Sequence, residues 1–560
     1  MNAVPKILDA QGQPMRVSAR AGGGDFAHAA ASTVSQELAS WFAPLRSGDG
    51  AYLRERDTIV GRARDTALNN GWIAGAIQRF EDQAIGADLR LRYMPDARLL
   101  GVDRDELAEW ARDVERRFMA WATDPRALID AGQRHTLSSL MGMMFSQRMV
   151  DGECLAVVHH LPGRHGTPFG TCIQGISTDR LSNPNRMPDE DRLRKGVEVD
   201  TYGAPLAYHI QAAHPGDVGI RRSLDALRWE RVPRYTPWGR ARVIHFYETG
   251  PNPDLSRGKS PLAPVLEKLR MIGRYESVEL QSAIVNAVFA AFITSPFDHG
   301  ILGEALEEDD TQDAMQGIGA YQSERAAFHD TRNITLNGVR IPTLFPGEKI
   351  ESFAPGRPNA TFGPFLQTSL RYIASALGQS YEQLAQDWSS TNYSSARAAM
   401  LESWKYLSAR RKKFCAAVPT QVFALWLEEA VEIGAVRLPA GAPDFWEAFS
   451  AWTRCRWIGP GRGWVDPVKE AQAAGERIDN MLSTYEDEAA EQGHYWQDIV
   501  DQRRIEAREM ADMAPAPRPS APVDEDPDAA DRAERQQQAD AALDRYEQRM
   551  AALADRAATR

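Results

Sequence analysis

Residues 381–404 read YEQLAQDWSSTNYSSARAAMLESW, a polar stretch that separates two segments with helical patterns. Ser380 followed three residues later by Gln383 is the pattern of a capping box. This pattern predicts that a short helix begins at Tyr381, directly after a longer helix that ends near residue 378. The stretch therefore predicts a helix, a polar loop and a second long helix in immediate succession.

The polar loop after this short helix lacks cations, because no Lys or Arg lies between Gly378 and Ser395. We predict that Ser394 or Ser395 caps the next helix, since a hydroxyl group can accept a hydrogen bond from a free amide at a helix start. Trp388 and Tyr393 have two interpretations that the sequence leaves open. They stack on nucleic-acid bases, or they anchor the loop against its own helices.

The composition is that of a globular protein with three or more structural units. The chain has 560 residues, of which 43% are apolar and 25% charged, and a domain usually spans about 100–200 residues. The formal net charge of −12 argues against wholesale electrostatic binding of nucleic acid, but it allows local basic patches. The four cysteines lie far apart without a CxxC pair, which favours a reducing compartment over a disulfide framework.

No segment of the sequence predicts a signal peptide or a membrane span. The N-terminal residues lack an apolar stretch, and the most apolar run, residues 282–293, is shorter than the ~18–20 residues that a span requires. We therefore expect a soluble protein that is intracellular at synthesis and has no membrane partner.

Hydrophobic periodicity predicts an α+β fold that is mainly helical. Residues 170–250 contain short alternating runs separated by turns, which are typical of an antiparallel sheet. Ser260 and Pro261 form a helix-start signal, and the helical pattern that follows is interrupted only by Gly273 before residue 289. These features predict two long helices, near 260–291 and 360–378, on either side of a smaller lobe.

Two motifs suggest chemistry, and each has a simpler explanation. RGKS at 257–260 resembles the end of a phosphate-binding loop, but Pro253 stands where the motif requires its first glycine. His159 and His160 are adjacent on a predicted strand, so their side chains point to opposite faces and cannot readily bind one metal ion. The sequence therefore predicts no catalytic residue, no metal site and no cofactor.

A basic run at 410–413, Arg-Arg-Lys-Lys, follows the polar loop along the chain. We predict that it lies in the last turn of a helix, where cations interact favourably with the helix dipole. Contact with phosphate groups is the alternative.

Five segments carry a resemblance to a known family, and they span most of residues 40–505. The chain resembles the lambda-type portal proteins of tailed bacteriophages, and residues 381–404 are the most specific match. The segments are NNGWIAGAIQRFEDQAIGADLRL (69–91), GVEVDTYGAPLAYHI (196–210), VIHFYETGPNPDLSRGKSPLAPVLEKL (243–269), LGQSYEQLAQDWSSTNYSSARAAMLESW (377–404) and WIGPGRGWVDPVKEAQAAGERI (457–478).

The resemblance implies a multi-domain portal architecture of wing, stem, clip and crown that assembles into a ring, typically a dodecamer. Its order along the chain implies the following units. They are a flexible N-terminal arm (1–39), a wing (40–255), a first stem helix (256–291), a clip (292–358), a second stem helix (359–378), a tunnel loop (379–395), a long helix with a return to the wing (396–465), a crown-like helical region (466–512) and a disordered or partly helical tail (513–560).

The resemblance also implies a function and a set of partners. The ring lies at one vertex of the capsid, and double-stranded DNA is packaged and ejected through its channel. The partners are the terminase large subunit, a head-tail adaptor protein, and the major capsid and scaffold proteins. The protein resides in the virion and, during assembly, in the host cytoplasm. The alternative is a DNA-associated scaffold or a motor-related protein without a portal channel.

On this mapping, two sets of side chains are candidates for the channel wall. The tunnel-loop candidates are Gln379, Gln383, Gln386, Trp388, Ser389, Ser390, Thr391, Asn392 and Tyr393, and the stem-helix candidates are Lys268, Arg270 and Arg274. A ring repeats every residue, so one cation per loop would form a dense positive collar. Each phosphate neutralised adds about 0.9 to the salt dependence of log affinity. Tight binding of this kind opposes translocation, so we expect a loop of neutral polar groups to give low friction.

Overall fold

The computed structural model describes residues 40–217, 224–288, 362–389, 391–463 and 466–512, together with short segments elsewhere. Most of the predicted N-terminal arm and clip, and the tail from 513 to 560, lie outside the described residues. The chain divides into two compact units, one that ends at His494 and a second that begins at Tyr495.

The part of the chain before the first stem helix combines helices with short strands, as predicted. Its elements are α1 (Gly48–Tyr52), α2 (Arg56–Asn69), α3 (Gly71–Ala84), β1 (Arg90–Tyr93), α4 (Ala97–Leu100), α5 (Arg104–Ala122), α6 (Leu137–Asp151), β2 (Glu153–His160), β3 (Thr171–Ile176), β4 (Leu193–Arg194), β5 (Val197–Val199), β6 (Pro205–Gln211), β7 (Trp229–Pro233) and β8 (Val243–Tyr247).

The remaining described elements are mostly helical. They are α7 (Leu266–Val288), β9 (Phe292–Thr294), β10 (Ile334–Leu336), β11 (Val339–Ile341), β12 (Lys349–Glu351), α8 (Phe362–Leu377), α9 (Tyr381–Ala385), α10 (Tyr393–Ala417), α11 (Pro419–Glu432), α12 (Phe449–Trp452), β13 (Cys455–Ile458), α13 (Pro467–Asp479), α14 (Tyr485–Glu491) and, in the second unit, α15 (Trp496–Asp512). The mainly helical α+β fold is confirmed.

Strands β2 to β8 form two antiparallel sheets, which also confirms the prediction for residues 170–250. One sheet has the order β3-β2-β8 and the other the order β4-β5-β6-β7. Strand β2 is central in the first sheet, where Leu155 pairs with Ile176 on one side and with His245 on the other. Strands β1 and β13 pair across more than 350 residues of sequence, so the chain returns to β1 after α8.

One large hydrophobic core joins the helices of the first unit. The helix α3 buries Ile73 and Phe80, and Ile85 follows at 0% exposure. The end of α8, including Ile373 and Leu377, packs into the same core. Helix α8 is thus held by the core at the point where the polar loop begins.

The two stem helices run antiparallel and contact each other through aromatic side chains. The ring of Tyr275 in α7 lies 5.5 Å from that of Phe362 and 5.4 Å from that of Phe365, both in α8. Nearer the start of α7 and the end of α8, the ammonium group of Lys268 lies 4.2 Å above the ring of Tyr372. The order of these contacts along the chain gives the antiparallel direction.

The predicted start of the first stem helix at Pro261 is wrong by five residues. Residues 261–265 form consecutive turns, and α7 begins at Leu266. Pro264 is the physical reason, because a proline disfavours helical backbone angles at the residue before it. Ser260 still accepts a hydrogen bond, from the amide of Leu262 (3.2 Å), but it caps a turn instead of a helix.

The helical stretch Tyr393–Glu432 is, within the described residues, long and apolar enough to cross a membrane. However, 67% of the most apolar 18 residues in this stretch is buried inside the protein. A mostly buried stretch is typical of a core helix in a soluble protein.

Candidate nucleic-acid interface

The polar loop begins at Gly378, which has a left-handed backbone (φ +70°) at the end of α8. A Cβ atom at this position would lie 2.4 Å from the ring of Tyr406 in α10. A side chain would therefore be strained by the backbone and would overlap an aromatic ring. Glycine lets the chain reverse direction directly against the long helix.

The short helix α9 fixes the next part of the loop to the core. Ser380 and Gln383 form the predicted capping box, in which each side chain binds the backbone amide of the other residue. Leu384 is 1% exposed, and its carbonyl accepts a hydrogen bond from Nη2 of Arg79 in α3 (3.2 Å). The first half of the loop is therefore anchored.

Asp387 organises the turn that follows α9. Its carboxylate accepts hydrogen bonds from the backbone amide (3.1 Å) and the hydroxyl (2.6 Å) of Ser389, and from the hydroxyl of Tyr381 (3.2 Å). The hydrogen bonds from Ser389, followed by the one from Tyr381, lower the pKa of this carboxyl below its usual value. The loop therefore carries an ionised acid at neutral pH.

The second half of the loop is exposed. Trp388 is 41% exposed and Tyr393 is 52% exposed, so neither ring is buried against the helices of its own chain. Thr391 donates its backbone amide to the carbonyl of Trp388 (3.2 Å), and Ser390 lies outside the described residues. The rings are accessible to a partner, whether DNA or a second copy.

The predicted caps Ser394 and Ser395 are wrong, because Asn392 caps the long helix α10. The side-chain oxygen of Asn392 accepts the amide of Ser395 (2.9 Å), and α10 begins at Tyr393. Both serines thus lie in the first turn of the helix. Asparagine and serine are similar in strength as caps, so the choice between neighbouring candidates depends on where the preceding turn ends.

The side chains of the three glutamines proposed for the channel wall are partly buried or hydrogen-bonded within the loop. The side-chain oxygen of Gln379 is buried, and Gln383 belongs to the capping box. Gln386 has a left-handed backbone (φ +56°) and donates its side-chain amide to the carbonyl of Gln383 (2.6 Å). A role for these residues in contacting DNA stays a prediction.

The three proposed stem cations differ in their surroundings. Lys268 lies over the ring of Tyr372 in α8, whereas Arg270 and Arg274 are exposed on α7. A cation–π contact holds Lys268 within its own chain, so the two arginines are the more accessible charges.

A model of the lambda family of phage portal proteins matches residues 35–411. The chain belongs to this family. The match includes both stem helices and the complete polar loop, so the geometry described above is that of a portal chain.

Curated relatives carry the same assignment. The portal protein of Escherichia phage N15 is 34% identical over 485 residues, which cover 86% of this chain and 90% of the relative. Portal protein B of Escherichia phage lambda is 34% identical over 484 residues, with 86% and 89% covered. A probable portal protein of Halomonas phage phiHAP-1 is 23% identical over 476 residues, with 83% of each chain covered.

Solved structures similar to this portal chain include two views of the neck of a gene transfer agent particle. The neck of the native particle, computed with C12 symmetry, gives a TM-score of 0.42 at 13% identity and covers 79% of this chain and 94% of that chain. The neck of the empty particle, computed with C6 symmetry, gives a TM-score of 0.42 at 14% identity, with 67% and 82% covered.

The RGKS turn of this portal chain binds a carboxylate of its own. Arg257 is 0% exposed and donates to the carboxylate of Glu153 through Nε (2.9 Å) and Nη2 (2.6 Å). The backbone amide of Gly258 donates to the same carboxylate (2.8 Å). The donors that would face a phosphate are thus directed at Glu153, which agrees with the rejection of a nucleotide-binding loop.

The basic run at 410–413 is not in the last turn of its helix, so that prediction is wrong. The helix α10 continues to Ala417 because Phe414 and Cys415 remain buried in the core. The guanidinium of Arg410 lies 3.2 Å above the ring of Tyr406, and Arg411 donates to the carbonyl of Pro460 (2.7 Å). Arg410 and Arg411 therefore both contact groups of their own chain.

The predicted histidine pair has separate partners. His159 is hydrogen-bonded to Gln174 (2.9 Å) and His160 to Glu429 (3.2 Å). Within the described residues, no group of three or more His, Cys, Asp or Glu side chains could hold a metal ion.

Two residues of the site were not identified from the sequence. Asp387 stands two residues before Ser389, a spacing at which an aspartate commonly accepts the backbone amide in a turn, so a local signal existed. Glu153 binds Arg257 across 104 residues, and no local pattern indicates that contact.

Proposed function

We propose that copies of this chain assemble into a ring whose channel conducts double-stranded DNA into and out of a phage head. Membership of the portal family supports a portal function, and the absence of Lys and Arg from residues 379–394 is the observation that carries the low-friction channel. The resemblance favours twelve copies. The loop 379–395 is the proposed constriction.

The electrostatics of the loop favour transit over binding. Duplex DNA carries one negative charge per ~1.7 Å of its axis, so a ring of cations would hold it strongly. Asp387 has a lowered pKa, and its ionised carboxylate would be repeated around the ring. Repulsion from these carboxylates keeps DNA phosphates from binding to the channel wall. The exposed side chains of Trp388 and Tyr393 limit the width of the channel.

We also propose the partners and the location that the family implies. The ring docks the terminase large subunit during packaging and a head-tail adaptor protein afterwards, and it contacts the major capsid and scaffold proteins. It resides at the portal vertex of the virion after assembly in the host cytoplasm. In this proposal the protein is structural and hydrolyses no nucleotide.

A lysine in the loop tests the low-friction channel. We expect Thr391→Lys to slow or stall DNA packaging and ejection, because the new cations neutralise phosphates and bind DNA. Ser389→Lys should act in the same direction. The matched control is Thr201→Lys, which places the same charge on an exposed turn of the wing and should leave DNA transit unchanged.

Packaged DNA per head and the rate of ejection are the quantities to measure. Normal values for both loop variants would contradict the proposed role of the missing cations. Two further measurements address the alternatives. ATP hydrolysis by the purified protein would favour a motor-related protein, and negative-stain images without rings would favour a scaffold without a channel.

A further inference from the structure

Residues 41–46, WFAPLR, form an exposed apolar segment that we call the apolar strap. Trp41, Phe42 and Leu45 are 75%, 88% and 103% exposed, and the segment has neither helix nor strand. Burial of two aromatic residues alone removes on the order of 300–500 Å² from water. An apolar surface of this kind rimmed by polar residues marks an interaction site.

The C-terminal end of the strap is fixed. Ser47 caps α1, and Tyr52 and Leu53 of that region pack against Leu255. Asp49 accepts a hydrogen bond from the hydroxyl of Ser256 (2.6 Å). Six extended residues reach about 20 Å, so the strap can contact only a surface close to α1, on whichever copy presents it.

A second exposed apolar surface, the aromatic patch, consists of Trp238, Trp446 and Phe449. The rings of Trp446 and Phe449 stack with centroids 5.2 Å apart, and Trp446 covers Gly239, where a Cβ atom would lie 3.0 Å from its ring. Trp238 donates its indole N–H to Glu428 (3.1 Å). The three side chains are 59%, 38% and 38% exposed and are held in place by these contacts.

Charge distinguishes the patch from another surface of the first unit that contains a tryptophan. Asp444 and Glu447 flank Trp446 and are exposed, which complements the exposed Arg46 at the end of the strap. The other surface is a cavity of about 530 Å³ between α10 and β13, and it contains Trp404. That cavity is less favourable for Arg46, because its lining contains five cations, Lys405, Arg411, Lys412, Arg456 and Arg462, against one acid, Glu491.

We propose that the apolar strap of one copy docks on the aromatic patch of a second copy of this chain. The strap is exposed on its own chain, so its own patch does not receive it. A contact between two different surfaces repeats from copy to copy and closes when the copies form a ring. Pro44 disfavours helical angles at Ala43 and so keeps the strap extended. The inference rests on the proposed ring.

Cysteine cross-linking tests this contact in the full-length protein. Leu45→Cys and Ser450→Cys place one thiol on the strap and one beside Phe449, both at exposed positions. The two single variants are co-expressed with tags of different length and oxidised. We expect a disulfide-linked dimer of the two chains on non-reducing gels. The control pair is Leu45→Cys with Ser408→Cys, which lies in the basic cavity and should give no dimer.

A second measurement does not depend on cross-linking. Trp41→Ala with Phe42→Ala should weaken self-association at least tenfold in sedimentation, without changing the circular dichroism of the chain. Failure of the L45C and S450C variants to link to each other overturns the inference. Normal association of the double alanine variant overturns it as well and would leave a capsid subunit as the occupant.

Negative-stain images separate this inference from the proposed function. Rings without the cross-link contradict the strap contact and leave the portal ring intact. A cross-linked dimer in a preparation without rings supports the strap contact and contradicts the ring.

Discussion

Glu153 accepts hydrogen bonds from two buried arginines, Arg56 and Arg257, and from the amide of Gly258, at the foot of the segment that leads into α7. The carboxylate is 0% exposed and the arginines are 1% and 0% exposed. The pKa of Glu153 is well below its usual value, because the charges of Arg257 and Arg56 outweigh its burial. The carboxylate of Glu153 therefore stays ionised in the protein interior.

Removal of this one negative charge should destabilise the protein strongly. We expect Glu153→Gln to lower the free energy of unfolding by about 3–5 kcal/mol, since Arg257 then remains buried without a compensating charge and Arg56 keeps only its ion pair with Asp57. The matched control is Glu198→Gln, which breaks a partly exposed pair with Arg231 and should cost about 1 kcal/mol at most. Denaturant unfolding followed by tryptophan fluorescence measures both, and equal losses would contradict the prediction.

His245 predicts a pH dependence of stability. Its side chain is 2% exposed, and burial lowers its pKa below 6.5 despite the nearby Glu153. Below about pH 6.5 the unfolded chain therefore takes up a proton that the folded chain does not, and folding loses up to about 1.4 kcal/mol per pH unit. Stability should fall as the pH is lowered from 7.0 to 5.5.

The variant His245→Gln isolates this contribution. Its unfolding midpoint should depend less on pH across the same window, whereas His494→Gln, at an exposed position, should keep the full dependence. Parallel pH profiles for the H245Q and unsubstituted proteins would show that another group titrates. The shifted pKa of Glu153 acts only at lower pH, because a lowered acid pKa contributes stability that is lost below about pH 4.5.

At the scale of elements, two glycines predict opposite effects of the same substitution. Gly378→Ala should destabilise by at least about 1–2 kcal/mol, because alanine is strained at φ +70° and its Cβ would overlap Tyr406. Gly273→Ala should stabilise by about 0.5–1 kcal/mol, since Gly273 lies inside α7 with open space at its Cβ position. Thermal unfolding of the two variants provides the comparison, and a loss in G273A equal to that in G378A would contradict it.

Elements whose signals are local were predicted well from the sequence. The capping box at Ser380 needs only residues three apart, and the alternating strands of residues 170–250 carry their own period. The helix starts were missed where two local signals compete. Pro264 overrides the start signal at Ser260, and Asn392 takes the cap from two serines that follow it.

Contacts between distant residues could not be predicted. Glu153 and Arg257 are 104 residues apart, and Arg411 reaches Pro460 across 49, so a basic residue in the sequence gave no indication of the carboxylate or carbonyl it binds. Within the loop, the sequence indicated polar groups without cations. It did not indicate that Gln386, Ser389 and Asn392 use their side chains to hold the loop itself.

At the scale of the whole molecule, the net charge of −12 per chain predicts how assembly responds to salt. Copies in a ring repel one another, and this repulsion is screened over about 10 Å at 0.1 M salt. We expect the fraction of assembled protein to rise between 50 and roughly 300 mM salt, as measured by sedimentation velocity. A fall in that fraction would indicate that ion pairs between copies outweigh the net repulsion.

The buried cluster of Glu153, Arg56 and Arg257 also bears on how the molecule carries mechanical load. Helix α7 is joined to the preceding part of the chain by the core contacts of Leu266, Leu269 and Ile272 and by residues 256–260, where the backbone of Lys259 lies so close to Gly152 that a Cβ atom there would be 2.2 Å away. This junction is a rigid joint, because Arg257 locks it to the first residue of β2. Since β2 is the central strand of its sheet, we expect a force applied along α7 to be distributed as shear over the hydrogen bonds on both edges of β2.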